Sequence, residues 1–280
     1  MAYYDGWIDH RSVREGYWGP PTANTDWCEP NYQFTLYVAE LFNTLSSVPI
    51  CAFSLFGLGQ CWKRGYELKF ALSYTLVFII GLGSVAFHGT LLRVGQVLDE
   101  LPMLWASLMF LYVGMTLHGE RPLLACCLFA WGCFCSLVYF QKGFDYFLIT
   151  YAVTVAAVIL NSVRTSLNST LWPILKPWAC SAGGLYAGGF CCLWVPEVLL
   201  CPSGSHVPVR SVAWTRHLQL HAWFHLSSSV GPYLFLVFST FHRYHLLARR
   251  PAFVWRRPHP VLLLPMQVPV VKLAEAGSAR

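Results

Sequence analysis

The sequence predicts an all-α polytopic membrane protein, a bundle of seven transmembrane helices, and three observations predict it. Hydrophobic residues fill 56% of the 280 positions and charged residues only 11%, well under the roughly 25% charged residues of a soluble domain. The apolar residues gather in runs of about 20, the length a helix needs to cross a hydrocarbon core of about 30 Å. Aromatic residues reach 16%, with 12 Trp, which suits helix ends seated in two interfacial belts. A net charge of +6 does not indicate nucleic acid, because the basic residues fall in short loops and in the tail after Phe241, as membrane topology requires.

Taken in order, residues 1–34 form a polar and aromatic arm with no apolar run of its own, so no cleavable signal peptide is expected. Spans follow at about 35–58, 70–87, 98–117, 122–140, 144–163, 179–200 and 218–247, the last leading into a basic tail, 248–280. Lys63, Arg64, Lys69, Arg121, Arg164, Lys176 and the arginines from Arg243 to Arg257 then share one side of the bilayer. That balance places the amino terminus on the lumenal side and the carboxyl terminus in the cytosol. The sequon Asn168-Ser169-Thr170 falls in a cytosolic loop and should stay unglycosylated. Cys126, Cys127, Cys133, Cys135, Cys191 and Cys192 lie within apolar runs and read as small hydrophobes, whereas Cys28 and Cys201 lie in or beside extramembrane stretches. In the span at 179–200, Gly184 and Gly188 give a Gly-x-x-x-Gly spacing that permits close helix contact.

The histidines carry the chemistry. His221 and His225, in His221-Ala222-Trp223-Phe224-His225, are one turn apart on one helix face, a common way to offer two imidazoles to one metal. His217 lies one turn earlier still, so two such pairs are available. The third ligand comes from His88, in Gly83-Ser84-Val85-Ala86-Phe87-His88, inside another apolar run. With an odd number of crossings, the end of the second span and the starts of the third and seventh share a side of the membrane, so these groups can meet. Three imidazoles and an open position make a catalytic Zn²⁺ arrangement. Ser84 shares a face with His88 at i and i+4. Asp99, in Leu98-Asp99-Glu100-Leu101-Pro102, serves either as a helix N-cap or as general base and acid beside the metal.

A second cluster precedes the first span. Asp26, Glu29 and Asn31, with Glu40 further on, are hard oxygen donors of the type Ca²⁺ selects, although their spacing is not that of an EF-hand. A solvated acidic turn would account for the first three. Glu40 sits in the apolar run Tyr37-Val38-Ala39-Glu40-Leu41-Phe42 and needs a partner there.

Taken together, Glu15-Gly16-Tyr17-Trp18-Gly19-Pro20, Asp26-Trp27-Cys28-Glu29 with Asn31, Ala39-Glu40-Leu41-Phe42-Asn43-Thr44, Gly83-Ser84 with Phe87-His88, Leu98-Asp99-Glu100 and His221-Ala222-Trp223-Phe224-His225 resemble the alkaline ceramidases, and within them the phytoceramidase-like branch. The resemblance runs from residue 15 to about residue 265. It implies a seven-helix intramembrane amidase that cleaves the N-acyl bond of ceramide, dihydroceramide or phytoceramide to a sphingoid base and a fatty acid, in the endoplasmic reticulum or Golgi membrane. His88, His221 and His225 resemble that family's zinc ligands, which selects His221 and His225 over His217. Ser84 resembles its oxyanion-side helper and Asp99 its proton carrier. Asp26, Trp27 through its carbonyl, Glu29, Asn31 and Glu40 resemble its calcium ligands, and Cys28 and Cys201 its lumenal disulfide.

Two departures stand out. Pro30 replaces a more usual acidic residue, and Leu193-Trp194-Val195-Pro196-Glu197-Val198 lacks the family's Asp/Asn pattern. The expected partners are a ceramide-type lipid and the bilayer, with no obligate protein partner. The rival readings are a receptor of the adiponectin-receptor type, with a zinc site and little hydrolysis, and a metal transporter. The acidic block argues against the first. Against the second, ionisable side chains gather at one side instead of lining a full path.

Overall fold

Six long helices carry most of the described chain: α1 (Leu41–Arg64), α2 (Leu68–Thr90), α3 (Arg93–Met115), α4 (Pro122–Lys142), α5 (Phe144–Leu167) and α6 (Leu220–Leu246), followed by strands β1 (Ala252–Arg256) and β2 (Val268–Lys272). The computed structural model describes residues 16–27, 29–169, 171, 219–258 and 267–274. The helices α1 to α5 are long and apolar enough to cross a membrane. Helix α6 has the length, 27 residues, but its four histidines make it more polar. A seven-helix bundle is not confirmed, because the span expected at 179–200 lies outside the described residues. So do Cys28, Cys201, His217, the Gly184 and Gly188 pair and the divergent segment before Cys201.

Two helix starts differ from the sequence reading, each for a local reason. The first helix begins at Leu41, not near 35, and Glu40 is its N-cap residue instead of an interior one. The backbone just before it is already engaged: Tyr32 donates to the Ala39 carbonyl, Ala39 to Gly89 and Glu40 to His88 at 2.7–3.0 Å. The open first turn of α1 is capped from the arm, where the Glu29 carboxylate accepts from the backbone N–H of Phe42 and of Asn43 at 2.7 and 2.9 Å, satisfying donors a helix start leaves unpaired. The third helix starts at Arg93, five residues before the apolar run at 98. Gln96 reads as loop by hydropathy, yet its amide is satisfied inside the protein by Asn24, Thr25 and Glu100. Asp99 is therefore no N-cap. It sits in the second turn of α3, and Pro102 lies inside that helix instead of in its first turn.

That interior proline matters for packing. Pro102 has no N–H to offer the carbonyl of Leu98, one turn earlier. The same Leu98 carbonyl faces Gly83 of α2, where an added Cβ would lie 2.1 Å from the oxygen. Glycine on one helix and a freed carbonyl on the other allow α2 and α3 to touch along their backbones, which brings Ser84 beside Asp99. Further along, Phe53, Tyr74, Phe110, Tyr233 and Leu236 fill the core between α1, α2, α3 and α6. Helix α4 packs on α3 and α5 and leaves Leu123, Phe129, Phe134 and Leu137 exposed, a surface that suits lipid.

At the end away from His88, charged groups tie the helices together. Lys69, buried, meets Glu67 at 2.9 Å and Glu120 at 2.6 Å, while Arg243 reaches Glu67 at 2.8 Å and the Leu117 carbonyl at 2.9 Å. The tail, for which no regular structure was expected, pairs β1 with β2 antiparallel, Trp255 opposite Pro269. Val268, Val270 and Val271 of β2 are buried. The hydroxyls of Tyr66 and Tyr233 donate to the Val271 and Pro269 carbonyls, so β2 packs along the bundle.

Candidate metal centre and active site

Helix direction decides which residues meet. The amino-terminal ends of α1, α3 and α6 and the carboxyl-terminal end of α2 share one end of the bundle, and there His88, His221 and His225 converge, with one ring nitrogen of each within 4.8 Å of the others. All three are buried. Each ring is held from outside the cluster. The Nδ1 of His88 bonds the Glu40 carboxylate, so that nitrogen carries the hydrogen and Nε2, buried and without a partner, points a bare lone pair elsewhere. The Nδ1 of His225 lies 3.1 Å from the Asn43 carbonyl, 2.9 Å from Ser46 Oγ and 3.2 Å from Ser47 Oγ. A carbonyl only accepts, so this imidazole too is protonated at Nδ1 and presents Nε2. His221 stacks on Trp27 at 3.5 Å and 19°, and its Nδ1 is buried without a partner.

Buried nitrogens without partners are costly unless something binds them. Imidazoles oriented by an outer carboxylate or carbonyl are the usual support of a metal site. The residues therefore fit a metal ion, as the sequence predicted for these three.

Ser84 stands next to them. Its Oγ is 3.4 Å from His225 Nε2 and 3.0 Å from Ser47 Oγ, and the Asp99 carboxyl lies beside it on the same cavity wall. An apolar cavity opens from this cluster, with Ser84, Asp99, His221 and His225 on its wall and Val77 and Phe110 further in. It joins polar, proton-moving groups to a long apolar lining.

The arm residues also converge. Asp26 accepts from Asn31 Nδ2 at 2.8 Å and lies beside the Glu40 carboxyl; the Trp27 N–H donates to Glu40 at 3.2 Å. Burial, and then the neighbouring Glu40, push the Asp26 carboxyl up to about 8. Burial also raises Glu29, against the backbone N–H groups of Phe42, Asn43 and Leu41 that pull it down. The Oδ1 atoms of both Asp26 and Asn31 are buried without partners. Glu40 is shared, with one oxygen toward the arm and the other toward His88. Leu91, in the left-handed region at φ 54, turns the chain after α2 so that its carbonyl holds the backbone of Thr22 and Ala23.

Sequence reasoning missed the α1 wall, Asn43, Ser46 and Ser47. The signal was present: Glu40, Asn43 and Ser47 recur at helical spacing, a polar stripe in an apolar run. It also missed Glu100, which accepts from Gln96 at 2.7 Å and from Tyr139 at 2.5 Å.

A helical membrane protein with an enclosed three-histidine centre at one end of its bundle is the class these features define. A model of the ceramidase family matches residues 19–268. Alkaline ceramidase 3 of Mus musculus is 31% identical over 248 residues, 85% of this chain and 90% of its own. The alkaline ceramidase of Arabidopsis thaliana is 27% identical over 231 residues, 81% of this chain and 86% of its own. Alkaline ceramidase YPC1 of Saccharomyces cerevisiae is 26% identical over 253 residues, 82% of this chain and 80% of its own. The chain belongs to the ceramidase family, and it is a hydrolase of that kind.

Proposed function

We propose that this protein is an intramembrane, zinc-dependent amidohydrolase that cleaves the N-acyl bond of ceramides (ceramide, dihydroceramide and phytoceramide) to a sphingoid base and a free fatty acid. The observation that carries the reading is the convergence of three buried imidazoles beside one apolar cavity, whose wall carries His221, His225, Ser84 and Asp99. His88, His221 and His225 would hold Zn²⁺, which when bound supplies Lewis acidity toward the amide carbonyl and lowers the pKa of water. Asp99 takes the proton of the attacking water and returns it to the amide nitrogen as the C–N bond breaks. Ser84, held between Ser47 and Asp99, donates to the oxygen that gains charge. The apolar lining receives hydrocarbon chain and keeps bulk water from the acyl carbon.

Asp26, the Trp27 carbonyl, Glu29, Asn31 and Glu40 are assigned to Ca²⁺. The unpartnered oxygens of Asp26 and Asn31 support this, as does the crowding of carboxylates that a cation would relieve. Because Glu40 also orients His88, that cation would steady the metal centre. A Cys28–Cys201 disulfide, a lumenal amino terminus, a cytosolic tail and residence in the endoplasmic reticulum or Golgi membrane complete the reading. The receptor alternative is not favoured: Asp99 and Ser84 are groups hydrolysis uses and signalling does not require. The test is release of sphingoid base by purified protein. A His88→Ala variant that is folded and inserted should release none, and one that retains amidase activity would overturn the assignment.

A further inference from the structure

Glu100 follows Asp99 on α3 and, although only 4% exposed, stands on the wall of the same apolar cavity as Ser84, His221 and His225. The hydrolytic step makes no use of it. Its neighbours are arranged to donate. The Gln96 oxygen accepts from the Asn24 N–H and from Arg93 Nη1, each at 2.8 Å, so the amide is turned with its NH2 toward Thr25 and Glu100, at 3.3 and 2.7 Å. On the other carboxylate oxygen of Glu100, the Tyr139 hydroxyl donates at 2.5 Å. Arg93 also holds its guanidinium carbon 5.0 Å over the Tyr139 ring, so a positive charge stands beside both groups that hold Glu100. An amide NH2 cannot accept, and each carboxylate oxygen has two lone pairs. Among the described residues Gln96 and Tyr139 are the only side-chain donors to Glu100, which leaves acceptor capacity on both oxygens. In an apolar cavity, unspent acceptors favour a ligand that brings its own donor.

We infer that Glu100 selects the substrate by accepting a hydrogen bond from a hydroxyl of the sphingoid base next to the scissile amide. The inference rests on the amidase reading, in which Asp99 serves the amide nitrogen. Ceramide carries hydroxyls on C1 and C3, each three bonds from that nitrogen, and adjacent residues of a helix lie about 3.8 Å apart at Cα. A substrate with its nitrogen at Asp99 therefore brings a hydroxyl toward Glu100. An amide without that hydroxyl leaves a buried acceptor unpaired and is disfavoured. The experiment compares kcat/KM of purified full-length protein on ceramide and on ceramide analogues that lack the C1 or the C3 hydroxyl. Wild type should prefer ceramide over at least one analogue by about 10–100-fold, the worth of a hydrogen bond to a charged group, and in E100Q that preference should fall by about 10-fold. Tyr139→Phe, which removes one orienting donor and leaves the carboxylate in place, should narrow the same preference and serves if E100Q does not fold. Turnover by wild type without preference, or a preference that survives in the folded variants with all substrates slowing alike, would overturn the assignment and leave Glu100 a structural tie between α3 and α4. No turnover of any ceramide by wild type would overturn the amidase reading itself, and the inference with it.

Discussion

Ser84 separates chemistry from binding more cleanly than any other residue of the site. It touches no described group of the arm, and its hydroxyl meets Ser47 and the approach to His225, with Asp99 beside it. Ser84→Ala should lower kcat by about 10²–10³, the usual cost of one oxyanion donor, with little change in KM; steady-state kinetics on ceramide checks this, and a selective rise in KM would assign Ser84 to substrate binding instead. Glu40 acts differently, through His88. Glu40→Gln keeps the shape but weakens the hold on Nδ1, so metal affinity should fall about 10–100-fold, measured by competition with a chelator. His88, His221 and His225 were legible because a membrane helix rarely carries an ionisable group without use. Asn43, Ser46 and Ser47 were not singled out, because serine and asparagine in an apolar run are unremarkable one at a time. Their helical spacing with Glu40 marks a stripe, and the partner they share, His225, shows what it supports.

At the level of elements, the contact between α2 and α3 places Ser84 against Asp99. Gly83→Ala would set a methyl carbon 2.1 Å from the Leu98 carbonyl oxygen, and backbone cannot yield as a flexible side chain can. A cost of about 1–3 kcal/mol is expected, the range for overpacking, together with a fall in kcat, because the same displacement draws Asp99 from Ser84. Thermal unfolding and kinetics on the one variant check both; unchanged activity would show that the two helices meet more loosely than described. Hydropathy located five membrane helices within a few residues, since their apolar runs are nearly continuous. It misjudged the starts of α1 and α3, where polar residues continue or precede a helix because the folded arm satisfies them: Glu29 caps the first, and Gln96 bonds Asn24 and Thr25 from the third. Neither contact is local in sequence. The hairpin escaped notice for a similar reason, since Val268-Pro269-Val270-Val271 is too short to declare itself before Tyr66 and Tyr233 receive it.

For the whole molecule, the arm and the bundle are linked through buried acid groups, Glu29 and Glu40, and under the proposed Ca²⁺ assignment the ionisation of this cluster would depend on the cation. Asp26 has a folded-state pKa of about 8 against an ordinary value of 3.8. Its raised value contributes stability that is fully present below pH 3.8 and is lost as pH rises toward about 8. Cation-free protein should therefore melt at lower temperature as pH is raised from about 5 to 9. With Ca²⁺ the dependence should flatten or reverse, since the ion favours the carboxylate form. Melting curves with chelator and with calcium across that range test it, and identical pH profiles would remove the cation from the arm. The meeting of α1, α2, α3 and α6 at one end was legible from an odd count of crossings, although that count included a span lying outside the described residues.

The central claim is that the three-histidine centre holds the metal that hydrolyses ceramide. The direct measurement is sphingoid base released from ceramide and phytoceramide at alkaline pH by purified wild type beside His225→Ala, with bound zinc quantified in both. Zinc at one equivalent with turnover in wild type, and both lost in the variant, is the predicted result. Full zinc occupancy in wild type without turnover on any ceramide, or turnover that persists in a zinc-free His225→Ala protein, would contradict it.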